Sequence, residues 1–223
     1  MNLMMLKKKS SQEIYLNMIN DALFLFLVAL YGLQFYVDTL VFSYPAKRYD
    51  GKKQLALLFN KQKKLSFLVR LTVNLTYPIA AFLVDTSYIG DENINLIIII
   101  MIAAAFGVLL AKPRYTVSGS ASVNSGIKTG SYLYLLHFIG IPLSLIVAPV
   151  FPEYRATIIQ LGIVLNTFST IAQVWLVDNS ISMLLKKDTI DEVKEQVYFV
   201  WKYRLISKIF GVLLLTLVIL NIY

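Results

Sequence analysis

Apolar runs near twenty residues recur along this chain, separated by short polar segments, and that spacing predicts membrane-crossing helices rather than a soluble core. The runs fall at about 21–43, 65–86, 94–111, 131–150, 156–177 and 204–222. The expected fold is therefore all-α: a polytopic membrane protein of about six transmembrane helices in a single membrane-embedded domain spanning 1–223. Breaks mark the ends. The first run stops near Tyr44-Pro45 and the third at Lys112-Pro113, because proline does not continue a helix comfortably. Gly140 and Pro142 predict a kink in the fourth.

The polar segments carry topology. Loop one holds Lys47, Arg48, Lys52, Lys53, Lys61, Lys63 and Lys64; loop three holds Lys112, Arg114 and Lys128. Loop five holds Lys186, Lys187, Lys194 and Lys202, whereas loop two has Asp91 and Glu92 and no basic residue. The positive-inside bias then places loops one, three and five in the cytoplasm and both termini outside, with Lys7-Lys8-Lys9 arguing weakly the other way. Loop one offers a surface helix through Leu55, Leu58 and Phe59, and loop five another from Thr189 into Trp201. Loop three, rich in Ser and Gly, reads as mobile.

A weak internal repeat fits this order. Asn74 precedes Asp85 by 11 residues in span two, and Asn166 precedes Asp178 by 12 in span five, each aspartate following an aromatic-Leu-Val run. Spans two and five are the equivalents that a three-plus-three inverted repeat requires.

Composition narrows the classes. Only 15% of the 223 residues are charged against 57% hydrophobic, too little polar surface for a soluble domain. The net charge of +8 sits between spans, which favours lipid headgroups over nucleic acid as its partner. With no cysteine, disulfides, thiol catalysis and thiolate metal sites are excluded. The first twenty residues predict no cleavable signal peptide.

Candidate chemistry lies within the spans. Arg70 sits about one and a half turns inside span two, where an arginine costs on the order of 3 kcal/mol at mid-bilayer. Asn74, Pro78 and Asp85 continue its face. Arg70 either lines a polar cavity or snorkels to the headgroups. In span one, Tyr31, Gln34 and Asp38 share a face, and Asp38 is a candidate partner for Arg70 or a lone interfacial carboxylate. Pro152 and Glu153 suit a helix N-terminus, which leaves Arg155 unexplained. Gln160, Asn166, Thr170 and Gln173 make span five polar, through interhelical hydrogen bonding or cavity lining. His137, the one histidine, reads as a hydrogen-bonded packing residue. No phosphate loop, paired-aspartate motif or HExxH is present, so no enzyme, cofactor or metal site is expected.

Three segments resemble the Amj family, the alternate lipid II flippases of bacterial cell-wall synthesis. They are Asp38-Thr39 through Lys47-Arg48; Arg70, Asn74, Pro78 and Val84-Asp85; and Pro152-Glu153-Tyr154-Arg155-Ala156-Thr157 with Gln160, Asn166 and Val177-Asp178 downstream. Asp38 stands where the family is expected to carry glutamate, Lys61-Gln62-Lys63-Lys64 adds basic residues, and the loop after span three is shorter. The resemblance implies a protein of the bacterial cytoplasmic membrane that moves lipid II, the undecaprenyl-pyrophosphate-linked peptidoglycan precursor, from the inner to the outer leaflet. On that expectation we read Arg70, with Arg48 assisting, as the candidate for the pyrophosphate, Asn74, Gln160 and Asn166 for the sugar-peptide, and Arg155 beside Glu153 for an outer anion site. Asp38, Asp85 and Asp178 would pair with these arginines when cargo is absent. Three alternatives stay open: an undecaprenyl phosphate carrier, a membrane subunit of an energised transporter, and a non-transporting immunity or assembly protein.

Overall fold

The computed structural model describes residues 2–43, 52–86, 88–89, 94–114, 122–186 and 190–222, and among these it contains helices and no strands. The helices are α1 (Asn2–Val41), α2 (Lys52–Asp85), α3 (Asn95–Leu110), α4 (Ser125–Val150), α5 (Arg155–Ala172), α6 (Asn179–Lys186) and α7 (Ile190–Ile222). A 3-10 turn, Pro152–Tyr154, opens α5, and a π-helical turn, Gln173–Asp178, joins α5 to α6. Four helical stretches are long and apolar enough to cross a membrane: Glu13–Val41, Ser125–Val150, Pro152–Leu185 and Ile190–Ile222. Two shorter apolar stretches, Leu75–Asp85 and Asn95–Leu110, accompany them. The chain is thus an all-α polytopic membrane protein.

Burial is inverted relative to a soluble fold. Leu213, Leu217 and Leu220 on α7, Phe168 on α5 and Ile102 on α3 all point outward, each more than half exposed. Water would not tolerate so large an apolar exterior, whereas hydrocarbon is its natural contact. Inside, Phe24, Leu27, Leu83, Ile97, Phe138 and Leu145 belong to one cluster that joins α1, α2, α3, α4 and α7. A second cluster around Phe42, Ile127, Val177 and Val197 closes the lysine-rich end.

Each expected surface helix is instead the first part of a longer continuous helix. Residues 52–64 run unbroken into α2, and 190–203 into α7. An amphipathic surface helix and the protruding end of a long helix share one composition. What separates them is a breaker, and 52–76 and 190–210 contain neither Gly nor Pro. Likewise α1 begins at Asn2 instead of near Asp21. Residues 44–51 of loop one and 115–121 of loop three lie outside the described residues, while Asn124-Ser125-Gly126 of loop three forms the capped start of α4.

The helices pair in the same pattern in both halves: α1 packs on α2 and α3, and α4 packs on α5 and α7. Glycine permits the closest approaches. A Cβ on Gly107 of α3 would stand 2.2 Å from the Gly32 carbonyl oxygen of α1, and one on Gly162 of α5 would stand 2.7 Å from the Gly140 oxygen of α4. Pro142 removes the amide that would bond the Phe138 carbonyl, and the Tyr31 hydroxyl supplies that bond at 2.5 Å. Beyond the bundle end, Tyr88 donates to Asp21 at 2.5 Å, and this hydrogen bond, with some burial, pushes the Tyr88 hydroxyl up to about 12. The contact therefore persists at neutral pH and is lost only as pH rises through that value.

Replacing Gly107 by Val should force α3 off α1. A loss of about 1–3 kcal/mol is expected for such overpacking, read as a lower Tm of the protein in detergent, while the outward-facing Phe106→Leu leaves Tm nearly unchanged. Equal Tm values for the two variants would show that the α1–α3 approach is not tight.

Candidate functional site

A charged network lies inside the bundle, built by α1, α4, α7 and the π-turn. Arg204 of α7 and Asp38 of α1 form an ion pair at 3.0 Å, with 0% and 4% of their side chains exposed. The Tyr134 hydroxyl of α4 donates to the same carboxylate oxygen at 2.5 Å. Arg204 also donates to Thr39 Oγ1 at 3.3 Å and to the Gln173 carboxamide oxygen. Gln173 in turn donates to the Gly130 carbonyl of α4 at 2.5 Å, so one side chain of the π-turn ties two helices together. A π-turn is where an α-helix takes an extra residue to redirect a side chain. Here Gln173 is buried while its neighbours Val174 and Trp175 face outward.

One turn deeper on α7 lies Lys208, also fully buried. Among the described residues no acceptor reaches its ammonium group. Three ring faces surround it: Phe35 at 3.8 Å, Tyr134 at 4.1 Å and Phe138 at 4.7 Å. Arg204 lies over the Tyr134 ring too, at 3.9 Å. Desolvated cation–π contacts are worth about 2 kcal/mol each, far less than the several kcal/mol required to strip an ion of water. The rings soften the charge and do not cancel it. Among the described residues two basic side chains, Arg204 and Lys208, face one carboxylate in this network.

His137 continues the polar column. It lies between Gln34, at 2.6 Å from Nε2, and the Asn166 carboxamide oxygen at Nδ1. Gln34, Asp38, Tyr134, His137, Ser169, Thr170, Gln173 and Val69 of α2 border a cavity of about 10 Å³, which is room for at most one water. Among the described residues no group of His, Asp and Glu side chains is placed to hold a metal.

The residues singled out from sequence scatter. Asp38 is paired with Arg204; its candidate pairing with Arg70 falls on a side chain outside the described residues. Asp85 does pair with Arg155, at 4.0 Å, but with 66% and 31% of those side chains exposed the contact contributes little. Asn166 is held by His137, and Asp178 is buried beside the π-turn. Gln160 and Glu153 are exposed, so Gln160 does not share the inner face with Asn166: six residues of helix turn it away. The side chains of Arg70 and Asn74, and Arg48 as a whole, lie outside the described residues.

Sequence reasoning missed Arg204 and Lys208. They sit at the start of the sixth apolar run, where a cation looks like the last of the loop-five lysines. The missed signal is helical register: Trp201, Arg204, Lys208, Gly211 and Leu215 recur at three and four residues, and all are buried. Trp201 fixes the depth. Its indole donates to the Val108 carbonyl at 2.9 Å and Lys112 lies over its ring at 5.6 Å, an arrangement suited to the membrane–water interface. Lys208 is seven residues, about 10 Å, further in.

Removing one partner of a buried ion pair costs about 3–5 kcal/mol, and removing both costs much less. Asp38→Leu should therefore destabilise the purified protein severely, since it leaves two buried cations unopposed. The double variant Asp38→Leu/Arg204→Met should recover at least half of the loss in the same denaturation measurement. Strictly additive losses would mean that the pair is not coupled.

Comparison with known proteins identifies no relative: no family model, no curated protein and no solved structure matches this chain.

Proposed function

We propose that this protein is a lipid II flippase, carrying the undecaprenyl-pyrophosphate-linked peptidoglycan precursor from the inner to the outer leaflet of the bacterial cytoplasmic membrane. One observation supports this reading above the others: two basic side chains, Arg204 and Lys208, lie buried one turn apart in a membrane-spanning helix, and among the described residues the Lys208 ammonium has no hydrogen-bond acceptor. Ionisable residues within membrane spans usually mark a substrate or ion pathway. A pyrophosphate would balance both cations through charge-assisted hydrogen bonds and remove the cost of leaving them unopposed. The Amj-like segments point to the same cargo, and Asp38 and Tyr134 serve as its stand-in when the site is empty.

A cavity of one water admits no headgroup, so transport requires the halves to part. Rocking of α1–α3 against α4–α7 would open the network to one side and then the other. In this reading the lysine-rich ends of the helices face the cytoplasm, and Arg70 of α2 receives the cargo on that side. The smallness of the cavity favours one alternative cargo, undecaprenyl phosphate, whose headgroup is far smaller.

Purified protein in liposomes with lipid II on a known leaflet provides the test. Crossing should fall about 10- to 100-fold in Arg204→Gln and in Lys208→Gln, the rate equivalent of a lost charged hydrogen bond. Arg70→Ala should abolish it, with Arg70→Lys retaining part, while the exposed Gln160→Ala behaves as wild type. Unchanged crossing in folded Lys208→Gln would sink the assignment, and acceleration of undecaprenyl phosphate alone would select the smaller cargo.

A further inference from the structure

The seam between α2 and α5 is fastened at one end and leads to a groove at the other. At the end remote from the lysine-rich loops, the Tyr77 hydroxyl of α2 donates to the Gly162 carbonyl of α5 at 2.7 Å, and Asp85 meets Arg155. At the lysine-rich end a groove of about 480 Å³ separates Lys63 of α2 from Val174, Trp175 and Asp178 of the π-turn and from Asn179 and Ser182 of α6. Lys63 and Asp85 are 22 residues apart on one helix, roughly 33 Å, so groove and fastening lie at opposite faces of a bilayer.

We propose that this groove is a lateral portal that takes the phosphate headgroup of a membrane lipid while the tail stays in the bilayer. Its two rims differ in kind. Trp175, 74% exposed, and Val174 form an apolar outer lip suited to acyl or prenyl chains, and an exposed indole is at home at the interface. Lys63, Ser182 and Asn179 line the groove and bring an ammonium, a hydroxyl and an amide as donors to it. The volume lies within the range of small-ligand sites.

Charge along the path selects an anion. Among the described residues that line it, the groove holds one cation and one carboxylate, Lys63 and Asp178. Beyond it, Val69, Ser169, Thr170 and Gln173 border the inner cavity, and Gln173 touches Arg204. From portal to network the balance shifts from neutral to positive, so an anion gains by moving inward and a cation is repelled. The π-turn serves both stations, presenting Trp175 and Asp178 to the portal and Gln173 to the buried arginine. This inference deepens the transport reading by naming where cargo is admitted, and it rests on that reading for its purpose. Binding at the portal can be measured without transport.

The phosphate could belong to a glycerolipid or to a polyprenyl lipid, and the absence of cysteine allows a direct test. Ser182→Cys places a single thiol in the groove, and Tyr154→Cys places one at the opposite end as a control. The rate of maleimide alkylation would be compared in phosphatidylcholine vesicles alone and with undecaprenyl phosphate, phosphatidate or undecaprenol added. The expected result is severalfold slower reaction at Ser182→Cys with a phosphate lipid and none with undecaprenol. That protection should disappear when Lys63→Gln is added, and Tyr154→Cys should react at one rate throughout. Protection by undecaprenyl phosphate alone shows that the prenyl tail is read as well, whereas equal protection by phosphatidate shows that the phosphate suffices. Equal rates in all vesicles, or protection by undecaprenol, would overturn the portal. Lipid II crossing without protection sinks the portal but not the flippase reading, and protection without crossing does the reverse.

Discussion

An arginine and an aspartate buried against each other in an apolar bundle set the terms for everything around them. The Asp38–Arg204 pair cannot be left half-made, because either charge alone inside the bundle would cost several kcal/mol. Its geometry fixes the register of α1 against α7. Tyr134 brings α4 to the same carboxylate, and Gln173 brings the π-turn to the same guanidinium. The π-turn has a clear physical role in this setting: it directs one carboxamide inward where a regular helix would carry it elsewhere. Four elements thus converge on two charges. Lys208 adds a second buried basic side chain that, among the described residues, has no hydrogen-bond acceptor and is surrounded by aromatic rings.

The same economy of polar groups governs the rest of the interior. A membrane bundle offers little water to satisfy freed backbone groups, and side chains meet two such needs: Tyr31 bonds the Phe138 carbonyl that Pro142 leaves free, and Asn124 the amides that open α4. Glycine pairs bring backbones together where no hydrophobic driving force does so, at Gly32–Gly107 and Gly140–Gly162. These contacts tighten the two halves internally. The seam between α2 and α5 is held differently, by a fastening at one end and a groove at the other, and that asymmetry is what a device for moving lipid headgroups needs.

The helices were legible in the sequence because hydrocarbon thickness imposes a length, and runs of that length are hard to mistake. The partners within the bundle were not. Asp38 could be recognised as a candidate ion-pair carboxylate from its face with Tyr31 and Gln34, but finding Arg204 requires knowing that α7 approaches that face. Arg204 and Lys208 were hidden by position, since a cation at the edge of an apolar run is usually a loop residue. The surface helices foreseen in loops one and five proved continuous with α2 and α7, because lysine-flanked apolar stripes describe either arrangement. Asp85 with Arg155 was within reach, since both fall at loop-facing ends of adjacent spans.

The central claim is that the buried basic side chains of Arg204 and Lys208 are the seat of an anionic lipid headgroup. Ligand that binds only the folded protein raises its Tm with concentration. The most direct measurement is the Tm of the purified protein, and of Lys208→Met, across a series of undecaprenyl pyrophosphate concentrations. Lys208→Met removes an unopposed buried charge and should be no less stable than wild type when ligand is absent. The expected result is a concentration-dependent rise in wild type that is absent or much reduced in Lys208→Met. An equal rise in both proteins would contradict the claim and move the headgroup site away from the buried cations.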